Sequence, residues 1–146
     1  MKVNFLDLHG QYFSIKSEID SAIQAVLEKS AFAAGPFVKS FEENFAAAHQ
    51  ARYCVGVNSG TAALHVALMA LEIGRGDEVI VPANTFFATP EAVSLAGATP
   101  VFVDNEGEYY NIDVELVERA ITPRTRAIMA VHLYGQPARV DALEVA

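Results

Sequence analysis

The sequence predicts an α/β protein: a mostly parallel sheet with helices on both faces. Three observations predict it. From Arg52 onward, short apolar runs alternate with segments of helical periodicity. Those runs are nearly continuous in apolar residues, the pattern of strands buried on both sides by crossover helices. Before Arg52 no such run occurs, and the chain reads as helix.

The elements follow in order. Residues 1–50 form an N-terminal helical segment, and residues 51–146 begin the sheet. In the first part Ile15, Ile19, Ala22, Ile23, Val26 and Leu27 recur at helical spacing behind Ser14, a suitable N-cap. Gly35-Pro36 breaks the chain and places a proline in the first turn of a second helix. There Phe37, Phe41 and Phe45 form an i, i+4, i+8 stripe expected to face a core. In the second part, 53–57 is a short buried strand and 61–71 an apolar helix ending near Gly74 and Gly76. Residues 78–81 form a strand stopped by Pro82; 90–96 form a helix closed by Gly97; 100–103 form a strand ending in Asp104. Asp113 caps a helix running through Ala120, 127–131 is a strand, and a further helix begins at Arg139.

Composition excludes several classes. A length of 146 residues fits one domain. With 52% hydrophobic and 19% charged residues the chain folds rather than staying disordered. A net charge of -8 and the lack of a Lys/Arg cluster argue against nucleic acid as a partner. No apolar stretch reaches the length of a membrane span without a break, so no membrane partner is expected. The first eight residues carry no apolar signal-peptide core, and the single cysteine, Cys54, suits a reducing compartment. A cytoplasmic location is expected. Cys54 lies in an apolar run and reads as a small buried hydrophobe. His9, His49, His65 and His132 have no metal-ligand spacing, so no metal is expected.

Parallel sheets bind ligands outside the carboxyl ends of their strands. The loops that matter are therefore 58–61, 82–89, 104–111 and 132–138. In the first, Asn58-Ser59-Gly60-Thr61 enters a helix, where backbone N–H groups lack partners and the helix dipole is positive. An anion such as a phosphate fits there, with Gly60 permitting close approach and Ser59 and Thr61 adding hydroxyls. Ordinary N-capping by Ser59 or Thr61 is the alternative. In the second loop Phe86 and Phe87 stand side by side. One can face the core while the other faces out, where it either stacks on a flat ring or simply packs. In the third segment, His132-Leu133-Tyr134-Gly135-Gln136-Pro137, the polar groups either face a ligand or satisfy loop backbone.

Five segments in this order resemble one family. They are Gly56-Val57-Asn58-Ser59-Gly60-Thr61-Ala62-Ala63-Leu64, Gly76-Asp77-Glu78-Val79-Ile80-Val81-Pro82, Asn84-Thr85-Phe86, Pro100-Val101-Phe102-Val103-Asp104 and Val131-His132-Leu133-Tyr134-Gly135-Gln136-Pro137. Together with Phe5-Leu6-Asp7-Leu8 and Gly35-Pro36, they resemble the DegT/DnrJ/EryC1/StrS family. Those proteins are pyridoxal 5'-phosphate (PLP)-dependent aminotransferases acting on nucleotide-linked keto sugars. The resemblance implies the N-terminal part of the large domain of a fold-type-I enzyme. It implies PLP as cofactor, with its phosphate on the backbone of Gly60 and Thr61 and its ring against Phe86. Ser59 and Asn84 would lie near the site. It implies a nucleotide-diphospho keto sugar as acceptor, glutamate as amino donor and a homodimer, in amino-sugar or surface-glycoside biosynthesis.

The family's Schiff-base lysine and the acid facing the pyridine nitrogen would fall beyond residue 146. The lysines present, Lys2, Lys16, Lys29 and Lys39, all precede the sheet. The chain is therefore expected to be an N-terminal piece that is inactive by itself, with no catalytic residue of its own. A PLP-dependent sugar dehydratase on the same scaffold and a non-catalytic phosphate- or nucleotide-binding module remain as alternatives.

Overall fold

A computed structural model describes residues 5–143. The chain divides into two compact units, Met1–Gly56 and Val57–Ala146.

The first unit contains three helices: α1 (Leu8–Ser14), α2 (Lys16–Glu28) and α3 (Pro36–Ala48). Asp7 caps α1 by accepting the Gly10 N–H at 2.9 Å. Ser14, expected to cap α2, instead ends α1. Its hydroxyl donates to the Gln11 carbonyl at 2.7 Å, so it is spent inside the preceding turn. The residue ahead of α2 is Ile15, which offers no side-chain acceptor. α3 starts at Pro36 as expected, behind Gly35 at φ 92°, a conformation that glycine adopts without strain.

Two expectations for this unit fail. The Phe41 and Phe45 rings of the supposed core stripe are about half exposed, stacking on each other and on His49. The buried residue of α3 is Ala46. The spacing made a stripe, but a stripe becomes core only when another layer covers it. Likewise 53–57 is not a strand: Tyr53 is 81% and Val55 77% exposed, and Cys54 is half-buried. An apolar run needs a neighbouring strand to complete its ladder, and none of the described residues pairs with this one. The segment is instead tied to α3, where Glu42 accepts the Gly56 N–H at 2.7 Å.

The second unit is the expected α/β layer structure. Its order is α4 (Gly60–Ala70), β1 (Glu78–Pro82), α5 (Ala88–Leu95), β2 (Thr99–Val103), α6 (Val114–Ala120) and β3 (Thr125–Ile128). A 3-10 turn at Leu133–Gly135 and α7 (Val140–Leu143) follow. All pairings are parallel, in the order β2-β1-β3, so β1 lies in the middle. Its side chains alternate between the two faces. Val79 and Val81 pack with Leu68 of α4, Ala92 and Val93 of α5, Ile73 and Ala98. Ile80 packs on the other face with Val103, Ile112, Val117 of α6 and Leu143 of α7. Helices thus cover both faces, and the continuous apolar run of β1 follows from that two-sided burial.

α4 and α5 are closed by left-handed residues. After α5, Gly97 (φ 85°) lets the Ala98 N–H reach the Val93 carbonyl at 3.1 Å. After α4 the same role falls to Glu72 (φ 57°), with the Ile73 N–H on the Leu68 carbonyl at 3.0 Å. The helix therefore closes ahead of the glycines that seemed to end it. Asp113 caps α6 as expected, accepting the Glu115 N–H at 2.9 Å and the Leu116 N–H at 3.2 Å. Asp113→Ala is expected to lower stability by about 0.5–2 kcal/mol, measured by urea denaturation.

β3 forms two residues earlier than expected, at Thr125–Ile128 rather than 127–131. Its start is set by a buried carboxylate. Glu78 accepts the Thr122 hydroxyl at 2.5 Å and the Arg124 Nε–H at 2.9 Å, while its own N–H donates to the Arg124 carbonyl at 2.8 Å. The Thr122 hydroxyl, then Arg124, hold the Glu78 carboxyl below its ordinary value. A carboxyl lowered in the fold contributes stability above its unfolded value, and that contribution is lost as pH falls through the folded one. Thermal melts are therefore expected to decline in the acid range. Glu78→Gln should shrink the decline and lower the neutral-pH melting temperature.

Candidate functional site

The loops at the carboxyl ends of β1, β2 and β3, and the entry to α4, carry the candidate residues. At α4, Ser59 is the N-cap: its Oγ accepts the Ala62 N–H at 3.1 Å and its carbonyl the Ala63 N–H at 3.0 Å. Capping by Ser59 is thus real. It leaves the Gly60 and Thr61 N–H groups, which have no carbonyl partner within the helix. A Cβ built on Gly60 would meet nothing within 4 Å, so the turn is open on the side where Gly60 lacks a side chain. Capping and anion binding are compatible here. Ser59 consumes the third donor, and its hydroxyl proton can still be given away.

After β1 the chain turns sharply. The Ala83 N–H donates to the Val103 carbonyl at 2.8 Å, and the Asn84 N–H to Asn105 Oδ1 at 3.0 Å. Thr85 and Thr89 share a hydroxyl hydrogen bond of 3.0 Å. Phe86 is 79% and Phe87 69% exposed, so the expected split between an inward and an outward ring does not occur. That split assumed strand geometry. Phe87 has helical angles (φ -53°, ψ -29°) and stands at the start of α5, where successive side chains diverge by far less than half a turn. Ala88 and Thr89 fill the core side instead. Phe87 lines an apolar groove of about 630 Å³ with Leu95 and Phe102.

After β3, His132 Nδ1 accepts the Ala138 N–H at 2.9 Å, so this ring nitrogen satisfies loop backbone. Tyr134 is held at φ 55° and projects into solvent.

Three residues escaped the sequence reading. Asn105 links the loop after β1 to the Tyr110 carbonyl. The Glu106 carboxylate gathers the N–H groups of Glu108 (2.6 Å), Tyr109 (2.9 Å) and Asn111 (3.1 Å). Those donors, with Glu108 first, hold its carboxyl below the ordinary value. Buried Asn111 donates to the Pro137 carbonyl at 3.0 Å, joining the loops after β2 and β3. The available signal was an Asn-Glu pair between a strand end and a capped helix, side chains that commonly bond nearby backbone. Among the described residues no three His, Cys, Asp or Glu side chains are grouped to hold a metal ion.

A parallel sheet flanked by helices on both faces makes this an open-sheet α/β protein, a class whose ligands bind outside the carboxyl ends of the strands. A match to the DegT/DnrJ/EryC1/StrS aminotransferase family runs over residues 13–145, and the chain belongs to that family. It is 52% identical over 143 residues to the erythromycin biosynthesis sensory transduction protein EryC1 of Saccharopolyspora erythraea, covering 98% of this chain and 39% of the relative. It is 51% identical over 142 residues to the dTDP-3-amino-3,4,6-trideoxy-alpha-D-glucose transaminase of Streptomyces venezuelae, covering 97% and 38%. The crystal structure of S. venezuelae DesV superposes with a TM-score of 0.93 at 50% identity, over 99% of this chain and 39% of that one. The PLP form of a sugar aminotransferase from Streptococcus pneumoniae superposes with a TM-score of 0.78 at 38% identity, over 84% and 32%. The chain thus spans about two fifths of the length of the curated relatives it matches.

Proposed function

We propose that the whole protein is a PLP-dependent aminotransferase that moves an amino group from glutamate to the keto carbon of a nucleotide-diphospho sugar. The observation that carries this reading is the entry to α4. Two N–H donors and an open approach at Gly60 lie in the same unit as an unpacked aromatic ring at Phe86. A phosphate and a flat heterocycle on one ligand match those two features. The relatives, among them a dTDP-amino-sugar transaminase and a structure in its PLP form, supply the chemistry.

The Gly60 and Thr61 N–H groups bind the phosphate, the α4 dipole favours its charge, and the Ser59 and Thr61 hydroxyls add donors. Phe86 covers one face of the pyridine ring, and Asn84 borders it. When bound, PLP supplies the electron sink for moving the amine. Lys16, Lys29 and Lys39 all lie in the first unit, on or beside α2 and α3. None of these three stands at a strand end, and Lys2 lies outside the described residues; on this reading the 146 residues alone turn over no keto sugar. The whole protein is a homodimer in the cytoplasm on this reading, and no described helix is long and apolar enough to cross a membrane.

Titrating the whole protein with PLP and following visible absorbance tests the reading. Saturable uptake, followed by glutamate-dependent amination of a nucleotide keto sugar, is expected; no spectral change on adding PLP would sink it. Phe86→Ala is expected to weaken PLP binding roughly two- to tenfold in the same titration.

A further inference from the structure

We infer that Asn105 is a positioning residue for the Phe86 ring, acting through the backbone of Asn84. The inference rests on the cofactor reading above. With 79% of Phe86 exposed, packing does little to hold its ring. The ring's place is set by the backbone that carries it, and that backbone has three tethers. The Ala83 N–H continues the ladder to Val103, and the Phe86 carbonyl accepts the Thr89 N–H at 3.1 Å as α5 begins. Between them, the Asn84 N–H depends on a side chain, accepted by Asn105 Oδ1 at 3.0 Å.

The other end of that amide fixes its own position. Asn105 Nδ2 donates to the carbonyl of Tyr110, itself held at φ 61°. Asn105 also pairs with Ile112 in an isolated antiparallel bridge, and the Glu106 N–H meets the Asn111 carbonyl at 2.9 Å. The carboxylate of Glu106 and the amide of Asn111 then brace this hairpin from within and against Pro137. Acceptor toward an N–H and donor toward a C=O is a demand that an amide meets in one orientation only. A side chain without both functions leaves the Asn84 N–H and the Tyr110 carbonyl without these partners. The loop carrying Phe86 is thereby referenced to the braced hairpin after β2 and not to the sheet alone.

A clip between loops could serve stability only, and a double-mutant cycle separates the roles. In the whole protein, PLP affinity is measured for Asn105→Ala, Phe86→Ala and the pair, with the visible circular dichroism of the bound cofactor and a thermal melt of each. Asn105→Ala is expected to weaken PLP binding about two- to fivefold and by no more than Phe86→Ala does, because its effect runs through that ring. It should also alter the dichroism, which reports the asymmetry around the ring. With Phe86→Ala in place, Asn105→Ala should cost no further affinity, because its effect runs through the missing ring. Asn105→Leu, which fills the same volume, repeats the cycle without a cavity. Additive losses overturn the inference, as does an Asn105 variant with unchanged affinity and dichroism. If Phe86→Ala itself leaves PLP binding unaltered, the stacking role falls and the inference with it. If Phe86→Ala weakens binding and the Asn105 variants do not, only the inference fails.

Discussion

Gly60→Asp is expected to leave the fold at least as stable as before while abolishing measurable PLP binding by the whole protein. Both halves follow from the same geometry. Gly60 is the first residue of α4, its φ lies outside the left-handed region, and an added Cβ meets nothing within 4 Å. A carboxylate in the first turn is favoured by the helix dipole, by about 0.3–1 kcal/mol. A phosphate held by the same turn would then face a negative charge. At a separation of about 4 Å and an effective dielectric near 20, each pair of unit charges costs about 4 kcal/mol. That is roughly a thousandfold in affinity. Thermal melts and a PLP titration on the same samples check both halves. A variant that melts normally and still binds PLP would remove the phosphate from this turn. Gly60→Ala is the milder companion, with a side chain that intrudes on the ligand's approach but carries no charge.

Ile80→Ala is expected to have the largest effect on stability, about 2–5 kcal/mol. Ile80 is fully buried in the central strand and packs against Val103, Ile112, Val117 and Leu143. Those residues come from β2, the following hairpin, α6 and α7, so one truncation loosens every element on that face. The sheet between Ile80 and the opposite face limits how far the site can collapse around the missing atoms. Urea denaturation of the whole protein reads the loss directly. An effect under about 1 kcal/mol would mean that this face repacks freely, contrary to the close packing of protein interiors.

The two variants touch features of different legibility. The apolar run of β1 was readable because strands covered on both faces need apolar residues at every position, and local composition records that requirement. The caps at Pro36 and Asp113 were readable for a similar reason, since each meets a need of its own first turn. Ser14 was misread because its hydroxyl had two local acceptor or donor uses, and only the path of the chain after Ile15 selects one. α4 ends within one residue of its expected limit, but its closure falls to Glu72, at a left-handed angle that the nearby glycines would have taken with less strain.

The site divides the same way. The donors of Gly60 and Thr61 belong to the first turn of α4, and the helix start alone makes them available. The clamp by Asn105 could not be seen from its neighbours in sequence. Its acceptor serves Asn84, twenty-one positions earlier, and the two meet only because β1 and β2 pair in parallel register, Pro82 beside Val103.

By itself, then, the sequence determined the α/β layering of the second unit and the starts of α3 and α6. Each is a local demand of backbone hydrogen bonding or of one-dimensional periodicity. Only the tertiary structure decided that 53–57 carries no ladder, that Phe41 and Phe45 lie open, that Phe86 and Phe87 both face out, and that Asn105 joins two loops. Those outcomes depend on which surface covers which residue and on the register between strands. Neither is a property of any single segment, because burial and cross-strand contact are made only when separate segments meet.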